Sequence, residues 1–62
     1  MNRLKELRAE RNLTQKAVAK AVGITTSYYG MIELGVRQPS LSLALDLAEF
    51  FNTSVEDIFY DL

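Results

Sequence analysis

The chain has 62 residues, with seven basic and eight acidic side chains and neither Cys nor His. A chain this short makes one domain, residues 1–62, that buries only about 60% of its unfolded surface. It has no thiol for a disulfide, no imidazole, no carboxylate cluster suited to a metal, and no apolar run near the ~18 residues of a membrane span. No leader segment is visible either, so a cytoplasmic protein without cofactor or metal is expected.

The net charge of −1 conceals a division. All seven basic residues lie in positions 1–37 against Glu6, Glu10 and Glu33, a net of +4, whereas residues 38–62 carry five acids and no base, a net of −5. A basic face and an acidic back would orient the molecule on a polyanion; ordinary solvated helix surfaces are the plainer alternative.

Five helices fit the chain, with no strand signal and no repeat. The first runs over about Asn2–Arg11, with Leu4 and Leu7 inward and Leu13 closing the turn. Thr14 can cap a second helix over about Gln15–Val22, because its hydroxyl can accept a free N–H of the first turn. Val18, Ala19, Ala21 and Val22 recur there at helical spacing, and Gly23 ends the run where a left-handed residue costs glycine nothing. Ile24 is an apolar plug, Thr25 a second cap, and a third helix covers about Thr26–Leu34 with Tyr29, Ile32 and Leu34 inward. Two short helices across a glycine turn, with small Ala19 at their approach, describe a helix-turn-helix over about 14–34.

Gly35 closes the third helix, and Pro39 keeps Gln38 out of a helix. Ser40 caps a fourth helix over about Leu41–Phe51, whose Leu41, Ala44, Leu45, Leu47, Ala48 and Phe51 recur at core spacing. Asn52-Thr53 breaks it. Ser54-Val55-Glu56-Asp57 resembles a capping box with Asp in the Glu position and opens a short last helix with Ile58 and Phe59.

The residues Leu4-Lys5-Glu6-Leu7-Arg8, Leu13-Thr14-Gln15, Ala19, Gly23-Ile24-Thr25, Ile32-Glu33, Gly35, Pro39-Ser40-Leu41, Ala44, Leu47-Ala48 and Val55-Glu56-Asp57-Ile58-Phe59 together resemble the phage lambda-repressor-like (Xre-type) helix-turn-helix domains. The resemblance spans essentially the whole chain. It implies an all-α, compact five-helix bundle and a transcriptional regulator, often a repressor. Such a regulator binds operator DNA as a homodimer with the third helix in the major groove.

The resemblance carries over residue by residue. It puts Gln15, at the start of the second helix, on a phosphate and as a brace for the third helix; an amide beside free helix N–H groups is a good phosphate clamp. It puts Thr26, Ser27 and Tyr28 toward base edges, and Met31 lies one turn further on the same face. None of the four makes the bidentate base contacts of Arg, Asn or Gln, so modest discrimination aided by DNA shape is expected. Tyr29 departs from the family's branched aliphatic and belongs inside, and Leu34 replaces a polar residue often found there. Gly30 either lets DNA come close or makes room for Tyr28. Arg8 and Glu33 take the places of a structural ion pair between the first and third helices. Arg37, in the loop after the third helix, is a phosphate candidate from the residues themselves, with Arg11 and Lys16 behind it; a solvated face is the alternative for each.

Leu43, Phe50, Phe59, Tyr60 and Leu62 exceed what one small core needs. They point to a two-fold dimer through the last two helices, which would set two reading helices about 34 Å apart on a roughly palindromic site. The alternative is a C-terminus folded back on the first helix. Without His, Cys, a glycine-rich phosphate loop or a paired carboxylate cleft, the sequence argues against an enzyme, and no small-molecule ligand is evident. The competing function is a protein-interaction module or antitoxin-like adapter on the same fold with little DNA affinity.

Overall fold

The computed structural model describes residues 2–60. Its helices are α1 (Leu4–Glu10), α2 (Gln15–Val22), α3 (Thr26–Leu34), α4 (Leu41–Phe50) and α5 (Val55–Ile58), with no strand among the described residues. The all-helical architecture is the expected one.

Local chemistry sets the boundaries. Thr14, Thr25, Ser40 and Ser54 each hold an extended backbone and accept a hydrogen bond from the N–H three residues on, at 3.0–3.1 Å. The helix ends are just as regular. Asn12, Gly23, Gly35 and Asn52 all take positive φ, between 55° and 78°. The next residue then donates back five positions: Leu13 to Arg8, Ile24 to Ala19, Val36 to Met31, and Thr53 to Ala48. These wraps satisfy carbonyls that the helices leave open.

α1 starts at Leu4 rather than Asn2: Arg3 is its N-cap, and the Asn2 side chain lies outside the helix, its Oδ1 accepting from Leu4 N–H at 3.1 Å. Asp57 does not complete a capping box with Ser54. Its carboxylate accepts instead from Thr53 Oγ1 at 2.7 Å and from the Arg3 guanidinium at 2.6 Å.

The core gathers Leu4, Leu7, Val18, Ala19, Tyr29, Ile32, Leu43, Ala44, Leu47, Ala48, Phe51, Ile58 and Phe59. Several expectations change here. Leu41 and Leu45 are 72% and 54% exposed, and Leu34 is exposed too, although all three were expected inside. α4 is rotated so that Leu43, Ala44, Leu47, Ala48 and Phe51 face inward; leucines lie on both of its faces, so periodicity could not choose between them. For the same reason Leu43 and Phe59, expected on a partner surface, are interior residues of the chain's own core. Phe50 is half-buried, edge-on to Phe51 at 4.9 Å. Tyr60 is exposed, and Leu62 lies outside the described residues. α5 does fold back on the start of α1: Arg3 N–H donates to the Ile58 carbonyl at 3.0 Å, beside the Arg3–Asp57 ion pair.

Tyr29 is fully buried, and its hydroxyl makes no hydrogen bond of good geometry although it lies beside the Arg8–Glu33 pair. Burial first, and the Glu33 carboxylate next, push the phenol well above its ordinary range. An unpaired buried hydroxyl costs about 1–3 kcal/mol, so Tyr29→Phe should leave the domain as stable or more stable, by up to ~1 kcal/mol in urea unfolding. A loss of more than about 1 kcal/mol would show that the hydroxyl is satisfied in solution.

Candidate nucleic-acid interface

α2 and α3 meet across Gly23, whose φ of 77° makes the turn, with Ala19 almost fully buried between them. α3 is fixed by one carboxylate. Glu33 accepts from Arg8 Nε at 2.6 Å and Arg8 Nη2 at 3.2 Å, a two-pronged bond from α1. It also accepts from Gln15 Nε2 at 3.1 Å, from the first turn of α2. Arg8 Nη1 donates to the Leu13 carbonyl at 2.9 Å, tying the α1–α2 turn to the same centre. Asn2 Nδ2 donates to the Ile32 carbonyl at 2.8 Å and clips the far end of α3.

The pair is largely shielded, with side-chain exposures of 18% for Arg8 and 5% for Glu33. Burial alone pushes the Glu33 carboxyl up. The hydrogen bonds from Arg8 and Gln15, with the Arg8 charge, outweigh it and hold the group below its ordinary value.

Around this centre the expected contact residues fall into place unevenly. Thr26 and Ser27 are exposed on the first turn of α3, and Met31 is 38% exposed one turn on. Tyr28 is half-buried and packs partly against the core. Lys16 and Arg37 are exposed on either side of the helix in sequence, and Gln15 is half-exposed.

Arg11 also serves the fold. Its guanidinium donates to the Phe50 carbonyl at 3.2 Å and the Phe51 carbonyl at 2.7 Å, and it lies over the Phe51 ring at 5.3 Å. It caps the C-terminus of α4, where carbonyls lack helical partners, with two of its five N–H donors, and the residue stays exposed.

Gly30 has a simple neighbour. A Cβ built there would meet Gln15 Oε1 at 3.6 Å, ordinary contact, so the glycine lies under the Gln15 side chain rather than under Tyr28.

The bond from Gln15 to Glu33 is the brace on α3 that the resemblance implies. Sequence reasoning missed Asn2, which gave no signal beyond that of a helix start. Among the described residues no acidic cluster could hold a metal ion, and no helix is long and apolar enough to cross a membrane.

A family model described as helix-turn-helix matches residues 4–58. The chain belongs to the Xre-type, lambda-repressor-like helix-turn-helix family. This is a family of DNA-binding transcriptional regulators, not of enzymes. Among its relatives is an uncharacterized HTH-type transcriptional regulator of Methanocaldococcus jannaschii, 47% identical over 58 residues, or 94% of this chain and 88% of that one. One from Archaeoglobus fulgidus is 46% identical over 57 residues, covering 92% and 80%. The regulator YgzD of Bacillus subtilis is 39% identical over 59 residues, covering 95% and 89%.

The helix-turn-helix regulator should depend on its ion pair for stability. Arg8→Ala leaves Glu33 shielded without its main partner and should cost about 3 kcal/mol at pH 7. Because the folded Glu33 pKa lies below its ordinary value of 4.5, its contribution is complete above that pH and is lost as pH falls through the folded value. Urea midpoints of the wild type should therefore drop below about pH 4.5, and Arg8→Ala should show a smaller drop at that step. Equal acid sensitivity in both proteins would rule out the pair as the source of that pH dependence.

Proposed function

We propose that the 62 residues act as one cytoplasmic DNA-binding domain that represses transcription. It would bind a roughly palindromic operator as a homodimer, with α3 in the major groove. The observation that carries this reading is the framed position of α3. Its N-terminal turn projects Thr26 and Ser27 to solvent, its inner side is locked by Glu33, and the free cations Lys16 and Arg37 flank it in sequence.

Phosphate contacts supply register and base contacts supply sequence. Gln15 suits a phosphate contact, because one Nε2 hydrogen goes to Glu33 while the second is left to donate to a phosphate oxygen. Lys16 and Arg37 add point charge. Thr26, Ser27, Tyr28 and Met31 meet the bases.

One α3 makes few contacts, and two-fold pairing doubles them. Since Leu43 and Phe59 are interior, the pairing surface shifts to Leu41 and Leu45, one turn apart on the open side of α4 beside Val55. The acidic charge of residues 38–62 keeps that side off the DNA.

A second reading has a specific observation behind it. Leu34 and Val36 are 77% and 70% exposed, which leaves the far end of α3 apolar, a surface suited to a protein partner in an adapter without DNA affinity.

Selection of bound duplexes from a random library separates the two readings. The DNA reading expects an enriched inverted repeat with half-sites one turn apart. No enrichment, with retention lost equally for all sequences as salt rises, would favour the adapter. On an enriched duplex, Arg37→Ala should weaken binding to all sequences and reduce the salt slope by about 1. An unchanged slope would take Arg37 out of the phosphate contacts.

A further inference from the structure

α3 turns an uncharged face outward. Ser27, Gly30, Met31 and Leu34 follow one another at spacings of three, one and three residues along one stripe, with Thr26 at its edge. The only charged residue of α3 is Glu33, which is turned inward and paired. None of the outward groups forms the two parallel hydrogen bonds by which Arg reads guanine or Asn and Gln read adenine.

An apolar side chain pressed onto a base-edge donor or acceptor strips its water and returns nothing. The major-groove edge has one apolar feature, the C5 methyl of thymine. Met31 is suited to it: unbranched, polarizable and 38% exposed. Its stripe neighbours Ser27 and Gly30 are small, so Met31 is the one long side chain of the stripe at the middle of the helix.

We infer that this chain reads its operator chiefly through thymine C5 methyl groups, with Met31 as the main specificity-determining side chain and the Thr26 methyl as the second. The inference rests on the DNA reading proposed above. It makes T·A pairs, not G·C pairs, the positions of strongest preference under the middle of α3.

Deoxyuridine provides the test, because it pairs like thymine and presents the same hydrogen-bonding edge without the methyl. Each thymine of the enriched half-site is replaced in turn, and binding is followed by fluorescence anisotropy. Removing the methyl that meets Met31 should weaken binding about fourfold. Met31→Ala should bind the thymine and uracil duplexes equally at that position, with an unchanged salt slope because phosphate contacts remain. Met31→Leu, which keeps an apolar tip, should retain most of the discrimination. Both variants alter a partly exposed side chain, and matching helical circular dichroism checks that they fold.

Three results would overturn the inference. If uracil binds as well as thymine at every position, methyl reading fails while the DNA reading stands. If a uracil penalty persists undiminished in Met31→Ala, the assignment to Met31 fails. If no duplex is enriched at all, the inference falls together with the DNA reading.

Discussion

A single shielded carboxylate holds α3 in place. Glu33 sits near the end of α3 and collects Arg8 from α1 and Gln15 from α2. An isolated carboxylate that is only 5% exposed would be costly, and the two-pronged guanidinium with the amide makes the site tolerable. The arrangement also restricts geometry. A carboxylate satisfied from two other helices admits little rotation of α3 about its own axis, so the outward face is set as firmly as the inward one. Asn2, on the Ile32 carbonyl, limits the tilt at the far end. Gln15, half-exposed at the start of α2, is the member of this network nearest the surface on that side.

The rest of the fold serves that orientation with local devices. Four hydroxyl caps open helices, and four left-handed residues close them, each followed by the same five-residue backward hydrogen bond. In a chain with so small a core, such end effects of about 1 kcal/mol each matter as much as any one buried side chain. Arg11 belongs with them. It completes the carbonyl end of α4 and covers Phe51, so this cation of the basic half has a structural task in the fold.

Much of this was legible in the sequence because caps and turns are local. Thr14, Gly23, Thr25, Gly35 and Ser40 announce their helix boundaries within three or four residues, and the boundaries of α2 and α3 match those expected. The rotation of α4 was not legible. Leu41 and Leu45 form one stripe, Leu43 and Leu47 another, and nothing within the helix says which meets Tyr29 and Ile32. That ambiguity misplaced the partner surface, because Leu43 and Phe59 look like surplus until the fold uses them. At the site, residue types gave the Arg8–Glu33 pair through family resemblance, but long-range bonds such as Asn2 to Ile32 and Arg11 to Phe51 carry no sequence spacing that could reveal them.

The uncharged outward face of the locked α3 and its flanking polar groups form the surface proposed to meet DNA. The most direct measurement is amide mapping of nitrogen-15-labelled protein titrated with an enriched duplex. The largest shifts should fall at Gln15, Lys16, Thr26 to Met31 and Arg37, with no effect on the α4–α5 face beyond that of protein pairing. Shifts centred on α4 and α5 with α3 silent would contradict the DNA-facing role of α3.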